Sequence, residues 1–463
     1  MEIVYTHPKG DSMIKFKIEE KLTPYTGLGI VGQLLSKTGL STRLDQLPIP
    51  GVKTTPDVSN SDVAKSYLGL LCQGKSDFEC VEEFREEPFY QYALDINAVP
   101  SCSTLRQRLN DISTIHADTG SSTWKPILLE ESADLVQKHA HLLTPITLEN
   151  DKPYLPLDVD VTPFDNSDTQ KEGVSWTYKK FDGYAPIFAY LGREGFGVNV
   201  ELRHGKTHCQ AKTPAFLRET ITYAKTMTDQ PLLLRLDSGN DSVDNINVCQ
   251  ETSTSADFII KRNPRKETAE DWLETAKKHG EVTNPREGKT VYRGVLKRKP
   301  NKAKNAVFLA FDVVERTSDS SGQTLLIPEI AFDTYWVSLD MAADEVVSLY
   351  QDHGTMEQFH SEIKTELDLE RMPSGKFNTN DLVLHFGLFA YNLLRIIGQE
   401  SLKINDQPLR KTVQRRRIRT VIKSMITMAS KMIFHAGKWA LKINKHNPWL
   451  PLFRRLYNTF APG

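Results

Sequence analysis

Long apolar runs are missing from this sequence: none approaches the roughly 20 residues needed to cross a bilayer. The opening stretch, Met1 to Lys21, mixes charges with isolated apolar residues and has no apolar centre of the secretory type. Those two absences predict a cytoplasmic protein with no membrane partner. Cysteine is also scarce. Five thiols, Cys72, Cys80, Cys102, Cys209 and Cys249, stand at wide, irregular intervals, which excludes a disulfide framework or a zinc knuckle as the organising principle. His204, His208 and Cys209 are loosely spaced and lack a fourth donor, so they favour hydrogen bonding or DNA contact over zinc. Internal repeats and low-complexity segments are absent too.

Net charge is nearly absent, at −1, but the balance is not local. Residues 401–463 carry fourteen Lys and Arg against the single acid Asp406, and residues 261–304 carry fourteen against six. The rest of the chain therefore sits at −22. Two basic segments on an acidic body point to a polyanionic partner. A hydrophobic share of 39% and a charged share of 25% suit a globular chain, and 463 residues suggest several structural units rather than one.

Apolar residues recur at helical spacing in Asp62–Cys72 and Ser103–Ile112, so residues 1–150 read as a helical N-terminal region for DNA binding or dimerisation. Ser101 caps the second helix, with Arg106 and Arg108 expected on its exposed face. From Tyr154 the texture changes to strands. Tyr154–Val161, Ala185–Leu191 and Gly197–Leu202 read as strands, Thr213–Met227 as a helix, Pro231–Leu236 as a buried strand, a helix follows from Asp241, and Asp257–Lys261 is a strand again. Three strands, helix, strand, helix, strand is the order of an α/β, ribonuclease H-like core. The core is assigned to residues 151–262 and 336–400, interrupted by a β-rich insertion at 263–335 and followed by a basic, helical C-terminal region at 401–463. By spacing alone, helical periodicity runs on through Met432–Leu441 in that tail.

Several acids have the placement that metal-assisted phosphodiester chemistry demands, since hard cations take oxygen ligands from rigid elements. Asp158 and Asp160 share one face of a strand by the period of two. Asp237 ends a hydrophobic strand beside a glycine turn, where α/β sheets commonly place ligand sites. The string Thr355-Met-Glu-Gln358 fits a capping box, starting a helix that runs to about Arg371 before Pro373. On that helix, at about 100° per residue, Glu357, His360 and Lys364 fall in one arc, while Glu362 and Glu366 turn to other faces. Each acid alone also suits an ordinary turn or a solvated surface.

The spacing of Tyr350, His353, Glu357 and Lys364 resembles the Tyr-x2-Arg-x3-Glu-x6-Lys string of transposases related to insertion sequence 4, with histidine in the arginine position. Residues 157–167 (LDVDVTPFDNS), 171–180 (KEGVSWTYKK), 182–191 (DGYAPIFAYL) and 234–241 (LRLDSGND) resemble, in order, the insertion-sequence 1380 family of DDE transposases. The likeness spans residues 154–400. It implies a ribonuclease H-like catalytic domain with a β-rich insertion, and a metal-binding catalytic triad of Asp160, Asp237 and Glu357 holding two Mg²⁺ or Mn²⁺ ions. Thr162, two residues beyond Asp160, matches the family pattern and selects Asp160 over Asp158. The resemblance also implies DNA-phosphate contacts for Tyr350, His353 and Lys364, although histidine is only partly charged near neutral pH and offers no bidentate fork.

Trp176 and Tyr178, beside Lys179 and Lys180, offer aromatic faces for an unpaired base, and Trp176 equally suits core packing. Lys297, Arg298 and Lys299, with Arg415, Arg416, Arg417 and Arg419, are expected to neutralise backbone phosphates. The function expected is cleavage and strand transfer at terminal inverted repeats, with double-stranded DNA as partner and a homodimer in the DNA complex. A catalytically silent DNA-binding descendant and a nuclease without strand transfer are the competing readings.

Overall fold

The computed structural model describes residues 3–6, 13–16, 22–48, 56–113, 123–319, 321–408, 413–435 and 438–461. Its centre is a mixed sheet of ten strands. Nine lie along one path: β1 (Pro153–Val161), β2 (Ile187–Leu191), β3 (Phe196–Glu201), β4 (Leu232–Leu236), β5 (Asp257–Lys261), β6 (Glu281–Arg286), β7 (Lys289–Arg298), β8 (Val307–Ser318) and β9 (Thr324–Val337). In space they run β3-β2-β1-β4-β5-β9-β8-β7-β6, and the two-residue strand Ile146–Thr147 pairs with the start of β1. Strands β1, β4 and β5 are parallel, and the remaining neighbours are antiparallel. The parallel strands are buried on both faces, which is why β4 reads as an almost unbroken apolar run.

The elements expected between Tyr154 and Lys261 are all present, including the helices Thr213–Met227 and Val243–Cys249. The strands after Lys261 do not form a separate small sheet. β9 pairs with β5 on one side and β8 on the other, so the basic stretch extends the central sheet, with a helix, Ala269–His279, packed on it that the sequence reading did not anticipate.

Behind the sheet lies the helix Phe377–Glu400, 24 residues long and buried along almost its whole length. By length and composition it is apolar enough to cross a membrane, which corrects the expectation that no segment is; here it is the central strut of the core. Asn392 ties it to a bulge in β3. Its Oδ1 accepts from Gly197 N at 2.8 Å and its Nδ2 donates to Gly197 O at 2.7 Å and Ser132 Oγ at 2.9 Å, where the ladder to β2 slips a register. The amide supplies the hydrogen bonds that the bulge denies the ladder. A Cβ on Gly197 would sit 2.3 Å from Leu388, so the close approach requires glycine.

The N-terminal and C-terminal regions depart from the all-helical expectation. Asn60–Leu71 and Cys102–Ser113 are helices as expected, with Ser101 Oγ accepting from Thr104 N. Arg106 is exposed, but Arg108 is buried and donates to Asn60 Oδ1 at 2.8 Å. Ile3–Thr6 pairs with Met13–Phe16 as a hairpin; residues 1–2, 7–12 and 17–21 of the opening stretch lie outside the described residues. In the tail, Ser430–His435 and Lys438–Ile443 form antiparallel strands instead of the expected helix, extended by Leu22–Thr23. Their Phe434–Trp439 pair, with ring centroids 4.9 Å apart, is a cross-strand aromatic contact that a helix cannot make between residues five apart.

The sheet is fastened at its middle by charge. Arg235 on β4 stands opposite Asp158 on β1 and meets it with both arms of its guanidinium, Nε–Oδ1 2.6 Å and Nη2–Oδ2 2.7 Å. His353 Nδ1 donates to the same carboxylate at 2.9 Å, and Arg235 Nη1 donates to Leu349 O at 2.6 Å. Burial pushes the Asp158 carboxyl up, but Arg235 and then His353 outweigh it and hold the group down to about 2, from an ordinary 3.8. A depressed carboxylate contributes stability that is complete above its unfolded pKa and is lost as pH falls through the folded value. Unfolding free energy should therefore fall by roughly 2 kcal/mol between about pH 4 and pH 2, and Asp158→Asn should flatten that part of the profile. Arg235→Met, which strands a buried carboxylate, should cost about 3–5 kcal/mol in urea denaturation at neutral pH. An unchanged midpoint would remove this pair from the fold's supports.

Candidate active site

The parallel register that pairs Leu236 with Val159 brings the next residues, Asp237 and Asp160, abreast at the carboxyl ends of β4 and β1. Asp160 is half-buried; Val161 N donates to its Oδ1 at 2.7 Å, and its Oδ2 lies 3.7 Å from His360 Nε2. Asp237 accepts from Asn240 Nδ2 at 2.8 Å. Its carboxyl is pushed up by burial and then by the negative charge of Asp160, so the two carboxylates feel each other.

Glu357 reaches the site from the helical segment Met356–Ser361. The expected capping box is not made: Thr355 is helical, and its Oγ1 donates to Asp352 O at 2.9 Å. A tight turn, Asp352–Thr355, joins this segment to the preceding helix Ala343–Gln351, leaving no free N-terminus to cap. Beyond Ser361 the helix widens into one i→i+5 turn, Glu362–Glu366, and stops before the expected Arg371. Glu357 is exposed and shares a cleft of about 430 Å³ with Asp160, Tyr178, Lys179, His360 and Lys364. Among the described residues, no three His, Cys, Asp or Glu side chains are gathered closely enough to hold a metal ion. The three acids form an open arrangement, with the two aspartates adjacent and Glu357 on the wall of the cleft that Asp160 lines.

The other expected contacts divide by exposure. Lys364 lines the cleft, its Nζ donating to Pro163 O at 2.5 Å and lying 3.8 Å from Glu370; burial pulls its pKa down. Tyr178 is exposed and leans over the end of β1, its hydroxyl donating to Val161 O at 3.2 Å, with Lys179 beside its ring. Burial and then Asp160 and Asp237 raise its phenol. Trp176 is exposed, which removes the core-packing alternative, and Lys180 is exposed near it. Tyr350 borders the aspartates, its phenol raised by burial and then by Asp237. His353 points inward to Asp158 and is buried, so in this arrangement its ring is committed to the sheet rather than offered to a phosphate.

Lys297, Arg298 and Lys299 are exposed at the end of β7, and none of them lines the catalytic cleft. The arginine run of the tail is folded back onto the helical turn that follows the Glu357 segment. Arg415 Nη1 donates to Glu362 Oε2 at 2.6 Å, Arg417 Nε donates to Glu366, and Arg419 N donates to Glu366 Oε2 at 2.6 Å. Arg416 is buried, its Nε donating to Ser401 Oγ at 2.7 Å. The expectation that all four face phosphates is thus corrected for Arg415 and Arg416; Arg417 and Arg419 keep half or more of their side chains in solvent.

Sequence reasoning turned Glu362 and Glu366 to other faces than Glu357, and neither lines the cleft, but it did not foresee what they hold. Glu362 is fully buried and accepts from Arg395, Arg415, Tyr391 Oη at 3.1 Å and Ile418 N at 3.2 Å. His360 was also passed over, though it shares the Glu357 arc. It is buried, and its Nε2 has no hydrogen-bond partner beside Asp160. The overlooked signals were an arginine inside the apolar run of β4, which demands a buried acid, and two acids beyond Glu357 opposite an arginine-rich tail.

Three comparisons place the chain among known proteins. No curated protein matches it. A solved structure titled as a cryo-EM structure of piggyBac transposase synaptic complex with hairpin DNA aligns over 95% of this chain and 84% of that one, at 9% identity and a TM-score of 0.40. A family model described as transposase DDE domain group 1 matches residues 12–462. With nearly the whole chain inside that match, the protein belongs to the DDE transposase domain family, group 1.

Proposed function

We propose that this chain is a DNA transposase that cuts the ends of its element at terminal inverted repeats and joins them to target DNA, with Asp160, Asp237 and Glu357 as the catalytic triad. The observation that carries this reading is the register setting Asp160 and Asp237 abreast on parallel strands, with Glu357 on the wall of the cleft that Asp160 lines. The family match supports the reaction class, and the ordered strings in residues 154–400 support the insertion-sequence 1380 group and a ribonuclease H-like core with an insertion. The site is proposed to act in the cytoplasm as a homodimer on DNA.

The donor set fits hard divalent cations, Mg²⁺ or Mn²⁺, two per site. All three donors are carboxylates, two repel each other across neighbouring strand ends, and an unpartnered imidazole nitrogen faces the same centre. Cations held there make a water or a DNA 3′-hydroxyl a better nucleophile and neutralise charge on the departing oxygen. The chain's own residues hold the substrate. Lys364 offers an ammonium to the phosphate beside the scissile bond, Tyr350 lies along the same path, and Tyr178 with Lys179 offers a ring and a charge to an unpaired base. Trp176 and Lys180 continue that surface, and Lys297, Arg298, Lys299, Arg417 and Arg419 serve more distant phosphates.

Asp160→Asn, Asp237→Asn and Glu357→Gln should each abolish cleavage of terminal-repeat DNA in Mg²⁺ or Mn²⁺ while leaving gel-shift affinity intact; a cleaving Glu357→Gln enzyme would remove glutamate from the triad. Joined products with supplied target DNA separate transposition from simple hydrolysis. Binding alone offers an independent readout. Mn²⁺ at about a hundred times its Kd should stabilise the wild-type chain by roughly 2–3 kcal/mol in thermal or urea unfolding, and Asp237→Asn should lose most of that gain.

Arg417→Gln tests the tail's double role. Because Arg417 donates to Glu366 on the catalytic helix, the expected outcome is a cleavage rate several-fold lower with little change in DNA affinity. A loss of affinity at unchanged rate would instead make Arg417 purely a DNA contact.

A further inference from the structure

The tail's excess positive charge is not evenly available. Arg415 and Arg417 pair with glutamates of the catalytic helix, Arg455 with Asp406 and Lys403 with Glu400. Lys442, Lys445 and Arg454 are exposed, and no carboxylate lies within salt-bridge distance of them among the described residues. These three cations edge one groove of about 730 Å³ between the strand Lys438–Ile443 and the terminal helix Leu450–Phe460. No aspartate or glutamate lines it. Its floor is apolar, from Leu441, Leu450 and Phe453, and its lip carries the exposed rings of Trp439, Tyr457 and Tyr92. A shallower recess continues around Lys445, His446 and Arg454. On the N-terminal side, Asp95 borders a neighbouring hollow, but Lys65 lies 3.5 Å from its carboxylate and offsets that charge.

We propose that this groove is a second DNA-binding surface, separate from the catalytic cleft, that holds the phosphate backbone of the substrate duplex through Lys442, Lys445 and Arg454. The proposal rests on the transposase reading for its partner and on the unpaired cations for its place. A carboxylate-free wall with three uncompensated charges, in a chain whose remainder is strongly acidic, has charge complementarity to a polyanion. Long, exposed cationic side chains suit phosphates at variable positions, and the rings of Trp439 and Tyr457 cover the apolar edge of the deoxyriboses. None of these residues lines the cleft that holds Asp160 and Glu357, so this surface contributes affinity without chemistry.

The test uses the full chain with Lys442→Gln, Lys445→Gln and Arg454→Gln combined, all exposed positions whose replacement should leave the melting temperature unchanged. Binding of a fluorescent duplex ending in the element's inverted repeat is followed by anisotropy across a KCl series. Every phosphate that is no longer neutralised makes the slope of log Kobs against log salt shallower by about 0.9, so the triple variant should lose roughly 2–3 units of slope and bind at least tenfold more weakly at low salt. At saturating DNA it should still cleave. Asp160→Asn is the opposite case, cleavage lost and slope kept, so failure of the catalytic reading is distinguishable from failure of this one. An unchanged slope in the triple variant overturns the proposal. So does loss of self-association in sedimentation without DNA, or loss of binding to an acidic peptide while DNA affinity holds, because the groove would then serve a second copy or a protein partner.

Discussion

A single buried ion pair sets the geometry on which the site depends. Asp158 and Arg235 face each other across β1 and β4, and their paired hydrogen bonds allow only one register between the two strands. Slipping that register by one residue would point the guanidinium to the opposite face and leave a buried carboxylate without a partner. Two residues further along β1, and two along from Arg235, stand Asp160 and Asp237. The period of two along each strand carries the alignment of the buried pair directly to the acids at the strand ends. His353 extends the same lock to the third element, since it bonds Asp158 from the turn that leads into the Glu357 segment.

The far end of that segment is held by a second set of charges. Glu362 has no exposure and accepts from two arginines, a tyrosine and a backbone amide, while Glu366 accepts from the tail at Arg417 and Arg419. Both glutamates lie in the widened i→i+5 turn, a geometry found most often at functional sites and stable here because side chains from another region compensate it. The helix bearing Glu357 is thus gripped before the glutamate by His353 and after it by the tail. Glu357 itself stays in solvent between two fixed points.

Much of this was legible in the sequence, and the reasons differ by element. The strands of the core announced themselves because buried parallel strands are apolar runs bounded by turns, and Asp237 stood out as the acid closing such a run. Glu357 was singled out because helical geometry sorts acids by face regardless of where the helix begins, so the absent cap at Thr355 does not alter its place on the cleft wall. The tail was misread because Met432–Leu441 satisfies three- and four-residue spacing by chance, while the Phe434–Trp439 pairing that fixes the hairpin is visible only in space. The β-rich insertion was read without its pairing, because nothing in β9 records that it joins β5. His353 matched an arginine position by spacing, but spacing does not report that the ring turns inward to Asp158.

Charge counted along the chain and charge available to a ligand are different quantities, and the tail illustrates why. Its fourteen cations read as one basic block, yet much of the run with the highest local density, Arg415 to Arg419, is spent on Glu362, Glu366, Ser401 and Gln407. A buried cation such as Arg415, hydrogen-bonded to a buried carboxylate, must break that bond before it can serve a phosphate, whereas Arg417 keeps half of its side chain in solvent. Lysines with no acid nearby carry no such penalty. The same reasoning applies in reverse at the strand ends. Asp160 and Asp237 are held abreast by a register they do not control, so their mutual repulsion is built into the fold, and a bound cation would relieve it. Glu357, exposed on the wall of the cleft that Asp160 lines, adds no third charge to that close pair.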